Sequence, residues 1–264
     1  MKTYRICAAT ALACVAATTV LGQRMFSGPR DYGSQVLAKV FGKNDAFSAI
    51  AEMTIVEKQG KPPMQMEMTY AFLKGDLRTE MDMASMKGTS MPPDAVAQMK
   101  QMGMDRNISI FLGGKKLMYL IYPGLKAYCE MSQPASTPSE TNEHKQAKID
   151  ITEIGKETVD GHPCVKNKIT VTSDDGTQHE VIAWQATDMK DFPIKTEMTT
   201  AGATITTHFR DIKLSPPAAS LFAPPADFTR YSSMQEMMMS SMQQFMPPAG
   251  GAPPRNPTTP QPSN

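Results

Sequence analysis

The stretch MQMEMTYAF, residues 64–72, alternates with a period of two. Met64, Met66, Met68, Tyr70 and Phe72 fall on one side, and Gln65, Glu67, Thr69 and Ala71 on the other. That is the pattern of a half-buried β-strand, and it recurs along most of the chain. FSAIAEMTIVEKQ (47–59) puts Phe47, Ala49, Ala51, Met53 and Ile55 together. DLRTEMDM (76–83) sets Leu77, Met81 and Met83 against Arg78, Glu80 and Asp82. Further runs follow at NISIFLG (107–113), KKLMYLIY (115–122), LKAYCEM (125–131), IDITEIGKETVDG (149–161), CVKNKITVTS (164–173), TQHEVIAWQAT (177–187), FPIKTEMTT (192–200) and ATITTHFRDIKL (203–214). Gly60, Pro62-Pro63, Gly113-Gly114, Pro123-Gly124 and Asp174-Asp175-Gly176 mark short connections. Short connections join antiparallel neighbours, so about ten antiparallel strands are predicted.

Three segments read as helices. DYGSQVLAKVF (31–41) brings Val36, Leu37, Val40 and Phe41 onto one face, and Pro92-Pro93-Asp94 opens a helix running to Met104. YSSMQEMMMSSMQQFM (231–246) places Met234, Met238, Met242 and Phe245 on one face, with Ser233 and Glu236 as a capping box. Residues 132–147 form a polar loop, and the Pro-rich residues 247–264 form a disordered tail.

Lys2 and Arg5 precede the uncharged run ICAATALACVAATTVL (6–21), and small residues lead to Gln23. This reads as a secretory signal peptide over residues 1–22, and so as a periplasmic or secreted protein of the bacterial envelope. A lipid anchor on Cys14, within Ala11-Leu12-Ala13-Cys14, is the weaker alternative. Cleavage removes two basic and no acidic residues, taking the formal charge from +1 to −1. No basic field is left to draw nucleic acid. Residues 23–246 form a single β domain. Cleavage also leaves two cysteines, Cys129 and Cys164. In an oxidising compartment an even pair suggests one disulfide, closing a loop of about 36 residues, with two free buried thiols as the alternative.

Enzymatic readings find no support. No Gly-rich phosphate loop, GxSxG elbow or HExxH helix is present, and His144, His162, His179 and His208 are scattered. No catalytic residue, metal site or cofactor is expected. The strong compositional signal is methionine, of which 22 of the chain's 23 follow the first residue. Three readings fit: an ordinary core, a thioether site for Cu(I), or a soft wall that moulds to varied apolar partners.

A helix leading into an apolar strand at LAKVFGKNDAFSAIAEMTI (37–55), the long meander, and the closing phrase LFAPPADFTRY (221–231) together resemble the LolA-like superfamily, which includes carriers of bacterial lipoproteins. ETVDGHPCVKNKIT (157–170) and ADFTRYSSMQEMM (226–238) are more closely similar to an uncharacterised secreted family of unknown function within it. The resemblance implies an open, curved antiparallel sheet, a half-barrel, with amphipathic helices on its concave side. It also implies a hollow that accepts acyl chains.

The sequence thus predicts a non-enzymatic binding protein that holds a lipid or a lipoprotein acyl chain. One wall would comprise Met53, Met64, Met66, Met68, Tyr70, Phe72, Met81 and Met83. A lid would comprise Met234, Met238, Met242 and Phe245. The alternatives are a Cu(I)-binding protein, or an envelope protein whose Met-rich helix docks on a protein partner.

Overall fold

A computed structural model gives the structure and describes residues 40–57, 60, 62–88, 92–115, 117–132, 148–172, 178–200 and 202–245, with side chains described through Ser241 in the last segment. The expected signal peptide, most of the expected 31–41 helix, residues 133–147 of the expected polar loop, the expected 173–177 turn and the expected 247–264 tail therefore lie outside the described residues, as do the side chains of Met242 and Phe245.

The predicted alternation forms strands at nearly the expected places. They are β1 (Ala46–Glu57), β2 (Met64–Leu73), β3 (Asp76–Asp82), β4 (Arg106–Leu112), β5 (Leu117–Tyr122), β6 (Ala127–Ser132), β7 (Lys148–Val159), β8 (His162–Thr172), β9 (Gln178–Ala186), β10 (Phe192–Thr199), β11 (Ala203–Lys213) and β12 (Thr229–Tyr231). All twelve join one open, curved sheet in the order β12-β6-β5-β4-β3-β2-β1-β11-β10-β9-β8-β7. Two meanders, β1 to β6 and β7 to β11, meet where β1 pairs with β11. The sheet is antiparallel with one exception: β12 runs parallel to β6, pairing Thr229, Arg230 and Tyr231 with Ala127, Tyr128 and Cys129. A chain returning from β11 over the outside of the sheet reaches the far edge travelling the same way as β6.

Both faces carry buried residues. On the inner face Phe47, Ala49, Ala51, Met53, Ile55, Met68, Tyr70, Phe72, Leu77, Phe192, Ile205 and Phe209 form the main core with Phe41. Its densest part is aromatic. The Phe41 ring lies 4.6 Å from Phe47, 5.8 Å from Phe192 and 5.9 Å from Phe209, centroid to centroid. On the outer face Ile108, Ile110, Leu112 and Ile121 are covered by Phe222 and Phe228 from the stretch preceding β12.

The chain that delivers Phe41 is clamped. Asn44 Nδ2 donates to the Phe41 and Lys190 carbonyls at 2.9 and 3.1 Å, and the Lys43 N–H donates to Lys190 O at 3.1 Å. Gln185 Nε2 donates to the Val40 carbonyl at 3.1 Å. Gly42 makes this approach possible. Its φ is +67°, and a Cβ there would stand 2.4 Å from the Asp191 carbonyl oxygen.

Helix α1 (Pro93–Gln101) links β3 to β4, and α2 (Met234–Phe245) ends the described chain. The capping box at α2 forms with a shift of one residue on one side. Ser233 Oγ accepts the Glu236 N–H at 3.1 Å, while the Glu236 carboxylate accepts the N–H and the hydroxyl of Ser232. The Ser232 hydroxyl, then its N–H, hold the Glu236 carboxyl below its ordinary range.

The disulfide expected between Cys129 and Cys164 is absent: both are buried free thiols. Cys129 is on β6 and Cys164 on β8, second and eleventh in the sheet order. A bridge needs Cα atoms within about 7 Å, whereas adjacent strands alone are about 4.8 Å apart. Burial also raises both thiols above the ordinary thiol range.

Two outcomes follow. Gly42→Ala places a side chain in the left-handed region against fixed backbone and should cost about 2–4 kcal/mol in urea denaturation. Gly114→Ala, where a Cβ meets nothing within 4 Å, should stay within about 0.5 kcal/mol. In a chain lacking residues 1–22, thiol titration should find both cysteines only after unfolding, with no mass change on reduction; one native bridge would contradict the structure.

Candidate functional site

The strand register arranges the inner face as rows running across the sheet. One row reads Val181, Met198, Ile205, Ile55, Met64 from β9 to β2. The next reads Ala183, Thr196, Thr207, Met53, Met66. A third reads Phe209, Ala51, Met68, Met81, Asn107. A fourth runs Ala49, Tyr70, Thr79, Ser109, Leu120, Cys129, Tyr231, and a fifth Phe47, Phe72, Leu77, Phe111, Met118, Met131. These five rows contain no charged side chain; Glu57, opposite Ala203, stands one step beyond the first row at the lip.

Most charges occupy the outer face, and beyond β9 the second row continues through Asn167 to the exposed Glu153 at the β7 edge. Arg210 bridges Glu52 and Glu67, Glu80 lies between Arg78 and Arg106, and Lys168 pairs with Glu180. Lys166 and Lys195 stand over the Trp184 ring at 4.6 and 4.4 Å. Burial also acts on two tyrosine hydroxyls of the inner face. Desolvation pushes the Tyr70 hydroxyl far above its ordinary range, and burial first, then Cys129 nearby, pushes Tyr122 up to about 12.

The structure divides the predicted wall in two. Met53, Met68, Tyr70 and Phe72 are buried in the main core, at one end among the phenylalanine rings. Met64, Met66 and Met81 are half-buried and pack over that core as a rim, joined by Met198. Met198 escaped the sequence reading because FPIKTEMTT holds one methionine among threonines and charges. Met83 does not belong with them. β3 ends at Asp82, and Met83 opens a 3-10 turn (Met83–Ser85) capped by the Asp82 carboxylate on the Ala84 N–H at 2.8 Å.

The predicted lid lies elsewhere on the same face. Met237, absent from the expected stripe, is the fully buried residue among the described side chains of α2. It packs with Met104, Tyr122 and Ala127, and Met234 and Met238 join the same cluster beside Met102, Leu120 and Tyr231. Among the described side chains of α2 the inward stripe is 234, 237, 238 and 241, with Ser241 Oγ donating to the Met237 carbonyl at 2.8 Å. Both phases obey helical spacing, and a run of three methionines at 237–239 offers no contrast between them. Wall and α2 are separated by the inner positions of β3 and β4, which are Thr79, Ser109 and Asn107. On its solvent side α2 borders an open depression of about 380 Å³ at Ser233, Gln235, Glu236, Met239 and Ser240. Among the described residues no group of three or more His, Cys, Asp or Glu side chains is placed to hold a metal ion, and no helix is long and apolar enough to cross a membrane.

Solved structures share features of this architecture. A LolA superfamily protein from Nitrosomonas europaea is 10% identical over 72% of this chain and 97% of its own, with a TM-score of 0.34. Lipoprotein LppX of Mycobacterium tuberculosis is 10% identical over 68% and 90%, at 0.32. The MucA/MucB complex of Pseudomonas aeruginosa is 13% identical over 76% and 63%, at 0.35. No curated protein sequence matches the chain. The resemblance read from the sequence to a family of unknown function is met. The profile of the domain of unknown function DUF4412 matches residues 47–191, more than half of the 264, and the chain belongs to that family.

Proposed function

We propose that this chain is an exported, non-enzymatic binding protein of the bacterial envelope that holds a hydrophobic ligand, a lipid or a lipoprotein acyl chain, against the inner face of its sheet. The observation that carries the reading is the half-buried rim of Met64, Met66, Met81 and Met198 over a buried floor, on a face whose five rows bear no charge as far as β9. A floor of packed phenylalanines holds its shape, whereas unbranched thioether side chains above it change rotamer at little cost and fit guests of different outline. Met234 and Met238 form the far wall of the same face rather than a cover over the rim.

Binding here means transfer of apolar surface from water, about 25 cal/mol per Å². Placing a carboxylate on the rim opposes that transfer. Met66→Glu should weaken binding of the neutral fluorescent probe N-phenyl-1-naphthylamine by at least about tenfold. Met66→Leu, which keeps volume and apolarity, should change it by less than about threefold. Organic extraction of the protein purified from its host, followed by lipid mass spectrometry, should recover a bound acyl species. An empty protein that neither enhances nor shifts the probe's emission overturns the proposal.

A further inference from the structure

The inner face also has a polar seam. Thr79 on β3 faces Ser109 on β4, and one row away Asn107 faces Met81. Thr79 is 8% exposed, and Ser109 and Asn107 are half-buried. None of these three side chains hydrogen-bonds to another described residue. The seam lies between the methionine rim on one side and the Met237 cluster on the other; Thr196 and Thr207 in the second row stand apart from it. Nothing charged stands in the five rows as far as β9.

These hydroxyl and amide groups are open to hydrogen bonding from the face, and a neutral hydrogen-bonding group on a ligand can take the place of water there. An ionised group placed there would lose its water and gain no counter-charge. We infer that the ligand of this face is an uncharged amphiphile: a long acyl chain lies along the methionine rim, and a hydroxyl, ester or amide beside it hydrogen-bonds to Thr79, Ser109 and Asn107. The span fits such a molecule. From β4 to β10 the sheet order takes five strand steps, on the order of 24 Å at about 4.8 Å per step, enough for a long acyl chain. This inference rests on the proposed binding function and adds the class of ligand to it.

The test displaces N-phenyl-1-naphthylamine from the protein lacking residues 1–22 with three ligands sharing a palmitoyl tail: monopalmitoylglycerol, palmitate, and palmitoyl lysophosphatidylcholine. Monopalmitoylglycerol should compete at concentrations at least about tenfold lower than either charged ligand at pH 8, since the charged groups find no partner on the face. Ser109→Ala with Asn107→Leu should weaken monopalmitoylglycerol by about fivefold or more while the probe still binds at least as tightly as to the unchanged protein. Retained probe binding also reports that the variant is folded, and Ser109→Ala alone serves as the milder version. Equal competition by all three ligands overturns the head-group inference and leaves acyl binding standing. A neutral preference that survives both variants overturns the assignment to the seam. Failure of the wild-type protein to bind the probe or any ligand removes the underlying function as well.

Discussion

The structure depends on the phenylalanine cluster at the junction of its two meanders. β1 and β11 lie about 150 residues apart in sequence, and their pairing makes one sheet from a six-stranded and a five-stranded half. Backbone hydrogen bonds alone add little net stability. The junction is held by side chains from both halves: Phe47 and Phe72 from the first, Phe192 and Phe209 from the second, and Phe41 wedged among them. Ala49 and Ala51 keep the middle of β1 small, which leaves room for the rings of Tyr70 and Phe209 to meet edge to face at 5.7 Å. Without this plug the rows of the inner face would not align, and the methionines beyond it would have no fixed floor.

The same cluster explains how one surface is firm at one end and adaptable at the other. Going along β2 from Phe72 to Met64, the inward residues change from aromatic to thioether, and burial relaxes from nearly complete to partial. Rings in contact at 4.6–6.2 Å have little freedom. Methionine has three rotatable side-chain bonds and no branch. The choice of Met over Val or Ile at these inward positions, odd for β-propensity alone, follows from where the strand ends.

Much of this was legible in the sequence. Period two fixes the face of a side chain once one face is buried, so the inward sets of β1, β2 and β3 are read directly from residues 47–81. What escaped depends on distant partners. β12 has three residues, two of them exposed, and forms because β6 offers an edge. The outer-face core escaped because NISIFL and LMYLIY are apolar on both parities, and the cover, Phe222 and Phe228, arrives a hundred residues later. The disulfide was an inference from cysteine number, and number carries no information on the distance between β6 and β8. The phase of α2 was hidden by its own composition. The polar seam was present as Thr79, Ser109 and Asn107, but polar residues on an inward parity gain meaning only when strand order makes them neighbours.

The positions of Cys129 and Cys164 bear on how such a chain matures. Each thiol sits in its own part of the sheet, with no cysteine partner in reach among the described residues. Folding of the described sheet then needs no oxidation step and no isomerase to correct mispairing. Packing and hydrogen bonds, with no sulfur bridge, hold the described sheet together, so the same fold is available in a reducing compartment and in an oxidising one.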